Sequence, residues 1–356
     1  MQDNSPYLLK KIIKVLIVDD SAYIRKVIKE ILSKSPFIEI VGTAINGKDA
    51  LEKVEALNPD VITLDLIMPE MDGLSFLIEQ MKRKPIPTVV CSIASETGDL
   101  ALKALEIGAI DFVQKPTALA TEKVYEIADE LVEKIKAASN VSLVDVKNII
   151  ETPIDKKIEV DKTSIKSNYD IICIGVSTGG PQALKTLIPL LPKNFPVPIA
   201  VVLHMPVGYT ELYAQRLDQI SEVTVVEAKE GEELLPGKVI IAQTGKHLTF
   251  KKTLDNKVVA HLDIKPFDSL FRPSVDVLFK SAANLFGKRT LGIILTGMGQ
   301  DGKDGAAAIK FNNGTIITED EKTCIVYGMP RSVVEAGLSD KSVPLYEILN
   351  TIKELI

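Results

Sequence analysis

The 356-residue chain contains no tryptophan, only 5% aromatic residues, three cysteines and three histidines. The cysteines are odd in number and far apart, and two of them lie inside apolar runs: Cys91, Cys173 and Cys324. This pattern favours small buried thiols over a disulfide framework or a thiolate metal site. Because histidine is scarce, the position of each one is informative.

Long apolar runs are also absent. The longest ones have the length of a strand, far below the roughly 20 residues that cross a bilayer, and residues 1–13 contain no apolar signal core. We therefore expect no membrane insertion and a cytoplasmic location. The net charge of -6, without a basic block, gives no reason to expect a nucleic-acid partner.

What the chain does contain is strand–helix alternation in two parts, which fits about two domains at this length. Residues 12–138 show five apolar strands alternating with five amphipathic helices, and this pattern predicts a five-stranded, doubly wound parallel sheet. Residues 139–168 mix charged residues, serine and threonine with scattered aliphatics, which is typical of a mobile linker, here with a short helix around residues 144–150.

From residue 169 to 355 the alternation resumes, so we expect a second α/β domain with a doubly wound, mostly parallel sheet. Between residues 223 and 262 several short segments are interrupted by Pro236-Gly237 and Gly245, a pattern typical of hairpins. These segments predict that the second sheet is mixed.

Polar residues follow the predicted strands of the first domain. Asp19 and Asp20 close the first strand and Asp65 closes the third, while Ser92 and Lys115 end the fourth and fifth. Since parallel strands end at one edge of a sheet, the carboxylates can gather there and hold Mg²⁺. A hydroxyl and an ammonium are suitable partners for phosphoryl oxygens. Any one of these residues could simply be a solvated polar residue, but the set favours a site.

The second domain begins with a candidate nucleophile. Gly175-Val176-Ser177-Thr178-Gly179 fits the G-x-S-x-G elbow between a strand and a helix that starts near Pro181. The glycines permit a tight turn, and the helix N-terminus favours developing negative charge. A glycine-rich turn of this kind could equally cradle a nucleotide phosphate, although the dinucleotide fingerprint and the P-loop lysine are absent.

Two further strand ends supply partners for Ser177. His204 directly follows an apolar run, and Asp301 lies in a glycine-rich turn after another. Alone, His204 could be a structural residue and Asp301 a helix N-cap. Together with Ser177 they form the nucleophile, base and orienting carboxylate of acyl transfer.

Other residues complete or border this hypothesis. Backbone N–H groups near Thr178 or Met298 are candidates for an oxyanion hole. The two remaining histidines lie in the predicted hairpin strands and are interpreted as structural: His247 and His261. The chain order Ser, His, Asp differs from that of α/β-hydrolases, which run Ser, Asp or Glu, His.

The first part of the chain resembles a response-regulator receiver domain over residues 12–138. The resemblance is carried by Asp19-Asp20, residues 65–73, Ser92 and Lys115-Pro116. It implies phosphorylation of Asp65 by a chemotaxis histidine kinase, with Asp19, Asp20 and Asp65 binding Mg²⁺ and with Ser92 and Lys115 contacting the phosphoryl group. Phe112 would occupy the aromatic switch position, where many family members have tyrosine, as many have threonine in place of Ser92.

Residues 169–355 resemble the catalytic domain of chemotaxis protein-glutamate methylesterases. The motifs lie at residues 174–180, 203–206, 271–276, 295–302 and 327–330. The resemblance implies hydrolysis of γ-glutamyl methyl esters, and deamidation of certain glutamines, on the cytoplasmic helices of chemoreceptors. It further implies a serine acyl-enzyme mechanism without a cofactor in this half, regulated by the receiver. Arg272 would either dock the acidic receptor helix or brace a loop.

Three alternatives remain. The second half could be a non-catalytic binding module in a phospho-signalling protein, or an esterase of small metabolites that uses the same three residues. A DNA-binding response regulator is disfavoured because the second half shows neither a helix-turn-helix signature nor a basic face.

Overall fold

The computed structural model describes residues 12–92, 94–115, 121–141 and 167–356. The chain divides into two compact units, one N-terminal and one C-terminal. The helix predicted around residues 144–150 and most of the predicted linker lie outside the described residues, and the predicted domain boundaries stay predictions.

The N-terminal unit is a five-stranded parallel sheet in the order β2-β1-β3-β4-β5. Its apolar runs form the strands and its amphipathic segments the helices, as the alternation predicts. The strands are β1 (Ile13–Val18), β2 (Ile38–Ala44), β3 (Val61–Asp65), β4 (Thr88–Ser92) and β5 (Asp111–Gln114). The helices are α1 (Ala22–Leu32), α2 (Gly47–Leu57), α3 (Gly73–Arg83), α4 (Ala94–Ile107) and α5 (Thr121–Ala138).

Side-chain caps fix where the first three helices of this unit begin. Ser21, Asn46 and Asp72 each accept a hydrogen bond from the N–H three residues later, at 3.4, 2.9 and 2.7 Å. Such caps satisfy donors that the first helical turn leaves unpaired. Each helix therefore starts close to the carboxyl end of the strand before it, where the acidic residues lie.

The C-terminal unit contains a seven-stranded sheet in the order β14-β13-β12-β6-β7-β9-β8. Its strands are β6 (Ile171–Val176), β7 (Ile199–Leu203), β8 (Thr224–Glu227), β9 (Lys238–Ile241), β12 (Thr290–Ile294), β13 (Thr315–Glu319) and β14 (Lys341–Val343), while β10 (His247–Lys252) and β11 (Val258–Asp263) form a separate hairpin. Its helices are α6 (Gly180–Leu187), α7 (Thr210–Gln219), α8 (Val275–Phe286), α9 (Lys303–Phe311), α10 (Met329–Glu335) and α11 (Leu345–Leu355), with 3₁₀ turns at Ile188–Leu190 and Gly287–Arg289.

The doubly wound α/β class and the presence of a hairpin are confirmed, but the expectation of a mixed main sheet is wrong. Every strand pair of the seven-stranded sheet is parallel, and only β10 and β11 pair antiparallel. Pro236-Gly237 is not a hairpin turn, because the segment before it instead bridges to β11 at Glu233 and Val259. Glu233 thus lies on the crossover connection between β8 and β9, which run parallel.

Helix α8 covers the centre of the parallel sheet with the apolar side chains Leu278, Phe279, Ala282 and Ala283, all of them fully buried. Gly292 in β12 allows this close approach. A Cβ at this position would lie 2.6 Å from Ile316 Cδ1 and 3.0 Å from Phe279 Cε2. The packing places the N-terminus of α8 near the carboxyl ends of β6 and β12.

The prediction of buried thiols is confirmed for two of the three cysteines. Cys91, Cys173 and Cys324 are all free thiols; the first two are buried and the third is partly buried. Within the described residues, no helix combines the length and the apolar character needed to cross a membrane.

We expect Gly292→Ala to lower the free energy of unfolding of the C-terminal unit by about 1–3 kcal/mol, since the added methyl group overpacks the contact with Phe279 and Ile316. Urea denaturation checks this. Gln215→Ala, at an exposed position of α7, is the control and should change stability by at most about 0.5 kcal/mol. Equal midpoints for the two variants would contradict the packing argument.

Candidate functional site

The register between β6 and β7 brings Ser177 and His204 to neighbouring positions. Val176 pairs with Leu203, so the next residue of each strand leaves the sheet at the same edge, on strands about 4.8 Å apart. The His204 N–H donates to the Val176 carbonyl at 3.1 Å, which continues the ladder one residue further. Both side chains are therefore presented where the central strands end.

The turn that carries Ser177 is tight. The Ser177 carbonyl accepts the Gly180 N–H at 2.7 Å, and Gly179 has a φ of +82°, a conformation that favours glycine. The Ser177 N–H donates to the Thr296 carbonyl at 3.1 Å, so the turn is also attached to the end of β12. Ser177 is partly exposed and lies in the turn just before α6, which starts at Gly180.

His204 and Asp301 form a hydrogen-bonded pair although 97 residues separate them. Nε2 of His204 lies 2.9 Å from Oδ2 of Asp301. Since the carboxylate accepts, Nε2 carries the proton, and Nδ1, which is buried without a hydrogen-bond partner in the described part of the chain, keeps its lone pair. The Phe271 ring stacks on the imidazole at a centroid distance of 4.2 Å and 12° between planes, which fixes the ring orientation.

The N-terminus of α8 holds the Asp301 carboxylate. Oδ1 accepts from the Ser274 hydroxyl at 2.8 Å and the Asp276 N–H at 3.0 Å, and Oδ2 accepts from the Val275 N–H at 2.8 Å. Burial acts to raise the pKa of Asp301, but the hydrogen bonds from His204 and α8 lower it to about 2. The carboxylate is consequently ionised at neutral pH, as an orienting partner of an imidazole should be.

Asp276 in turn binds the start of α9. Its Oδ1 accepts the N–H groups of Gly302 and Gly305 at 3.0 and 2.6 Å, at the start of α9, the helix that follows Asp301. Burial and the nearby charge of Asp301 raise the pKa of Asp276 to about 6. Asp301 thus does not cap α9, the helix that follows it. Asp301 instead binds the start of α8, and Asp276 of α8 binds the start of α9.

The two remaining histidines lie in β10 and β11, the hairpin strands where they were predicted. His247 is fully buried; its Nδ1 accepts the Ser274 N–H at 3.3 Å and its Nε2 donates to the Pro266 carbonyl at 3.2 Å. Burial lowers the pKa of His247. His261 pairs with Glu230 at 2.9 Å.

The predicted oxyanion and substrate candidates border this arrangement. Thr178 is buried and its carbonyl accepts the Thr296 hydroxyl at 3.0 Å, while Met298 lies half-buried in the turn between β12 and α9. Arg272 contacts a loop: its Nη2 donates to the Phe267 carbonyl at 3.4 Å and its guanidinium lies 5.9 Å from the Phe267 ring centroid. These contacts fit the loop-bracing alternative for Arg272.

The N-terminal acidic residues also meet. Ligand oxygens of Asp19, Asp20 and Asp65 lie within 4.8 Å of one another, a spacing that one hard cation could satisfy. The Lys115 ammonium lies 2.6 Å from Asp19 Oδ2 and 2.7 Å from Asp65 Oδ2. Burial raises the pKa of Asp65 in spite of Lys115, whereas burial acts to lower the pKa of Lys115 and the two carboxylates raise it.

Two other receiver residues were predicted. Phe112 is buried in β5, with the Lys134 ammonium 5.9 Å from its ring centroid and 2.8 Å from its carbonyl. Ser92 is the last residue of β4, opposite Gln114, but its side chain lies outside the described part of the structure. The sequence interpretation missed Arg25, which donates to the Asp19 and Asp20 carbonyls at 2.8 and 2.9 Å.

The sequence interpretation also missed the supports of the C-terminal site. Phe271, Ser274 and Asp276 were noticed only as parts of a motif, and none was assigned a contact. A serine before an apolar helix is a recognisable N-cap signal, and Ser274 does cap α8 by accepting the Val277 N–H. No sequence signal shows that this helix start also holds Asp301.

The N-terminal unit has carboxylates beside a buried lysine at its sheet edge. The C-terminal unit has a serine, an imidazole and a carboxylate at its own. This combination is the one expected of a response regulator with an enzymatic C-terminal domain. Residues 15–125 match the response regulator receiver domain family, and residues 172–352 match the CheB methylesterase family. The chain belongs to the protein-glutamate methylesterase/protein-glutamine glutaminase family.

Relatives and a solved structure agree with this membership. The chain is 46% identical over 338 residues to protein-glutamate methylesterase/protein-glutamine glutaminase 5 of Myxococcus xanthus, covering 95% of this chain and 96% of the relative. It is 43% identical to the protein-glutamate methylesterase/protein-glutamine glutaminase of Thermotoga maritima, covering 97% of this chain and 99% of the relative. The T. maritima CheB methylesterase catalytic domain matches with a TM-score of 0.51 and 48% identity, covering 53% of this chain and 99% of that one. Neither alternative function of the second half is favoured.

The raised pKa of Asp276 predicts a pH-dependent stability. The folded chain keeps this proton up to about pH 6, whereas the unfolded chain releases it near its ordinary pKa of 3.8. The contribution of Asp276 to the free energy of unfolding is therefore complete below pH 3.8 and is lost as the pH rises towards 6. Asp301 has the opposite sign, because its contribution exists above pH 3.8 and is lost as the pH falls towards 2.

We expect Asp276→Asn, which keeps an acceptor for Gly302 and Gly305, to flatten the fall in unfolding free energy between pH 4 and 6. Urea denaturation at several pH values measures the difference from the wild-type protein. Asp255→Asn, at an exposed position between β10 and β11, should reproduce the wild-type profile. An unchanged profile for Asp276→Asn would show that its carboxyl group does not hold the proton.

Proposed function

We propose that Ser177, His204 and Asp301 form a catalytic triad, and that this chain hydrolyses γ-glutamyl methyl esters and deamidates specific glutamines on chemoreceptor helices. The observation that carries the proposal is the 2.9 Å bond between His204 Nε2 and Asp301, which leaves Nδ1 without a hydrogen-bond partner among the described residues while Ser177 occupies the matching position of the adjacent strand. A cytoplasmic location and a chemotaxis histidine kinase as partner belong to the same proposal.

The proposed reaction follows from these positions. Nδ1 of His204 takes the proton of the Ser177 hydroxyl as Oγ attacks the ester carbonyl, and Asp301 stabilises the imidazolium that forms. The same proton then leaves with the methanol oxygen, or with ammonia when the substrate is a glutamine amide. Water, deprotonated by His204, finally cleaves the acyl-enzyme and releases the glutamate side chain.

The tetrahedral intermediate needs donors for its oxyanion. We assign this role to backbone N–H groups at Thr178 or Met298, because Ser177 and the turn after β12 are joined through Thr296. Arg272 contributes by bracing the loop that carries Phe271, which stacks on His204.

Ser177→Ala should reduce receptor demethylation by about 10⁴-fold or more, because it removes the nucleophile. The measurement is release of labelled methanol from methylated receptor. Ser221→Ala is the matched control, since the Ser221 hydroxyl donates to the Leu217 carbonyl at 2.6 Å, at the end of α7. A Ser177→Ala variant as fast as this control would exclude the triad.

For the receiver half, we propose that the histidine kinase transfers its phosphoryl group to Asp65 with Mg²⁺ bound by Asp19, Asp20 and Asp65. The cation would neutralise the clustered carboxylates, and Lys115, already paired with Asp19 and Asp65, would contact the phosphoryl oxygens, as would Ser92. Phe112 would respond to the modification as the switch residue. Phosphorylation then raises esterase activity by removing an inhibitory effect of the receiver.

Asp65→Asn should abolish phosphoryl incorporation from labelled kinase, and with it the rise in demethylation rate, because an amide oxygen is a far weaker nucleophile than a carboxylate. Removal of Mg²⁺ with a chelator should have the same effect on the wild-type chain. Asp129→Asn, at an exposed position of α5, is the control. Incorporation into the Asp65→Asn variant at the control level would place the phosphorylation site elsewhere.

A further inference from the structure

Glu319 is a buried acidic residue that the proposed reaction does not use. It is the last residue of β13 and is fully buried. Its Oε2 accepts the Thr296 N–H at 2.8 Å, while its Oε1 has no hydrogen-bond partner within the described residues. Burying an incompletely paired carboxyl group opposes folding, so the residue costs stability where an apolar side chain would not.

The partner of Glu319, Thr296, is connected by two further bonds to the nucleophile turn and by one to the loop before α10. Its carbonyl accepts the Ser177 N–H at 3.1 Å. Its hydroxyl donates to the Thr178 carbonyl at 3.0 Å and accepts the Val326 N–H at 2.9 Å. Glu319 thus anchors a residue that joins the ends of β6 and β12 to the loop before α10.

The turn after Thr296 packs directly on the nucleophile. A Cβ added at Gly297 would lie 2.8 Å from the Ser177 Cβ and 2.4 Å from the Met329 sulfur. The turn and Ser177 thus approach each other so closely that no side chain at residue 297 would fit between them. A shift of Thr296 would therefore be transmitted to the serine and alter its position relative to His204.

We propose that Glu319 is a positioning residue: by binding Thr296, it holds the backbone of Ser177 in the position that attack on the substrate carbonyl requires. The inference rests on the proposed role of Ser177 as nucleophile. Glu319 itself contacts neither the substrate nor the triad. The hydrogen bond from Thr296 needs only an acceptor oxygen, so a neutral amide can replace the carboxyl group.

Burial supports this last point, since it raises the pKa of Glu319 to about 7, with Asp320 adding to the rise, although the Thr296 hydrogen bond and the nearby Thr323 and Cys324 side chains act to lower it. Near neutral pH a large share of the molecules consequently carries an uncharged Glu319. A glutamine at this position resembles that form in shape and charge.

The test compares Glu319→Gln with Glu319→Leu in the full-length chain. Two rates are measured: covalent labelling of Ser177 by a fluorophosphonate, and demethylation of methylated receptor. We expect Glu319→Leu to lower the labelling rate and kcat about 10- to 100-fold at nearly unchanged KM, because the serine is displaced and not the receptor surface. Glu319→Gln should stay within about 3-fold of the wild-type protein.

Thr318→Val is the control for a merely structural effect. Thr318 is a buried neighbour on β13, and its hydroxyl pairs with Ser339 at 2.8 Å, away from the nucleophile turn. This variant should lose stability without a change in labelling rate per folded molecule. Equal labelling rates for Glu319→Leu and the wild-type protein, or equal losses in Glu319→Leu and Glu319→Gln, would overturn the inference.

A second variant keeps the test decisive if Glu319→Leu does not fold. Glu319→Met removes the acceptor for the Thr296 N–H while keeping an unbranched side chain of similar length, and should also slow labelling. Wild-type labelling in Glu319→Met would overturn the route through Thr296. The proposed function fails separately, namely if Ser177→Ala is labelled as fast as the wild-type protein.

Discussion

The C-terminal site depends on one electrostatic arrangement, the capture of the Asp301 carboxylate by the N-terminus of α8. Three donors from residues 274–276 bind its two oxygens, and the partial positive charge of the helix end adds to them. The carboxylate stays ionised, which assigns the proton of His204 to Nε2 and leaves Nδ1 as the basic atom. Rigid hydrogen bonds to an orienting group are the usual means of fixing an imidazole.

A series of contacts leads from the packing of α8 to the position of Ser177. Gly292 lets α8 approach the sheet, the helix start binds Asp301, Asp301 orients His204, and the β6–β7 register presents Ser177 beside it. The receiver uses the same geometry, the common edge of parallel strands, for a different purpose. There the carboxylates repel one another, and Lys115 offsets only part of that charge, so the site favours a cation.

The sequence predicted the residues at strand ends because that prediction needs only hydrophobic periodicity and the rule that parallel strands end together. Asp19, Asp65, Ser177, His204 and Asp301 were found in this way. The supporting contacts were not, since they join residues through tertiary packing alone: Phe271 on His204, or Asp276 at the start of α9. The parallel pairing of β8 and β9 was missed for a similar reason, because Pro236-Gly237 has the composition of a hairpin turn while the pairing partner of the preceding segment lies in β11.

Asp276, in the first turn of α8, and Asp301, just before α9, lie 25 residues apart. Asp301 binds backbone groups at the start of α8, and Asp276 binds backbone groups at the start of α9. Neither segment is self-sufficient: lengthening or shortening one by a single residue would rotate its carboxylate away from the other's first turn. The two stretches should therefore vary as a unit among related chains. A graft or loop exchange in this domain would need to transplant both together, although nothing in the linear order of the chain marks them as a pair.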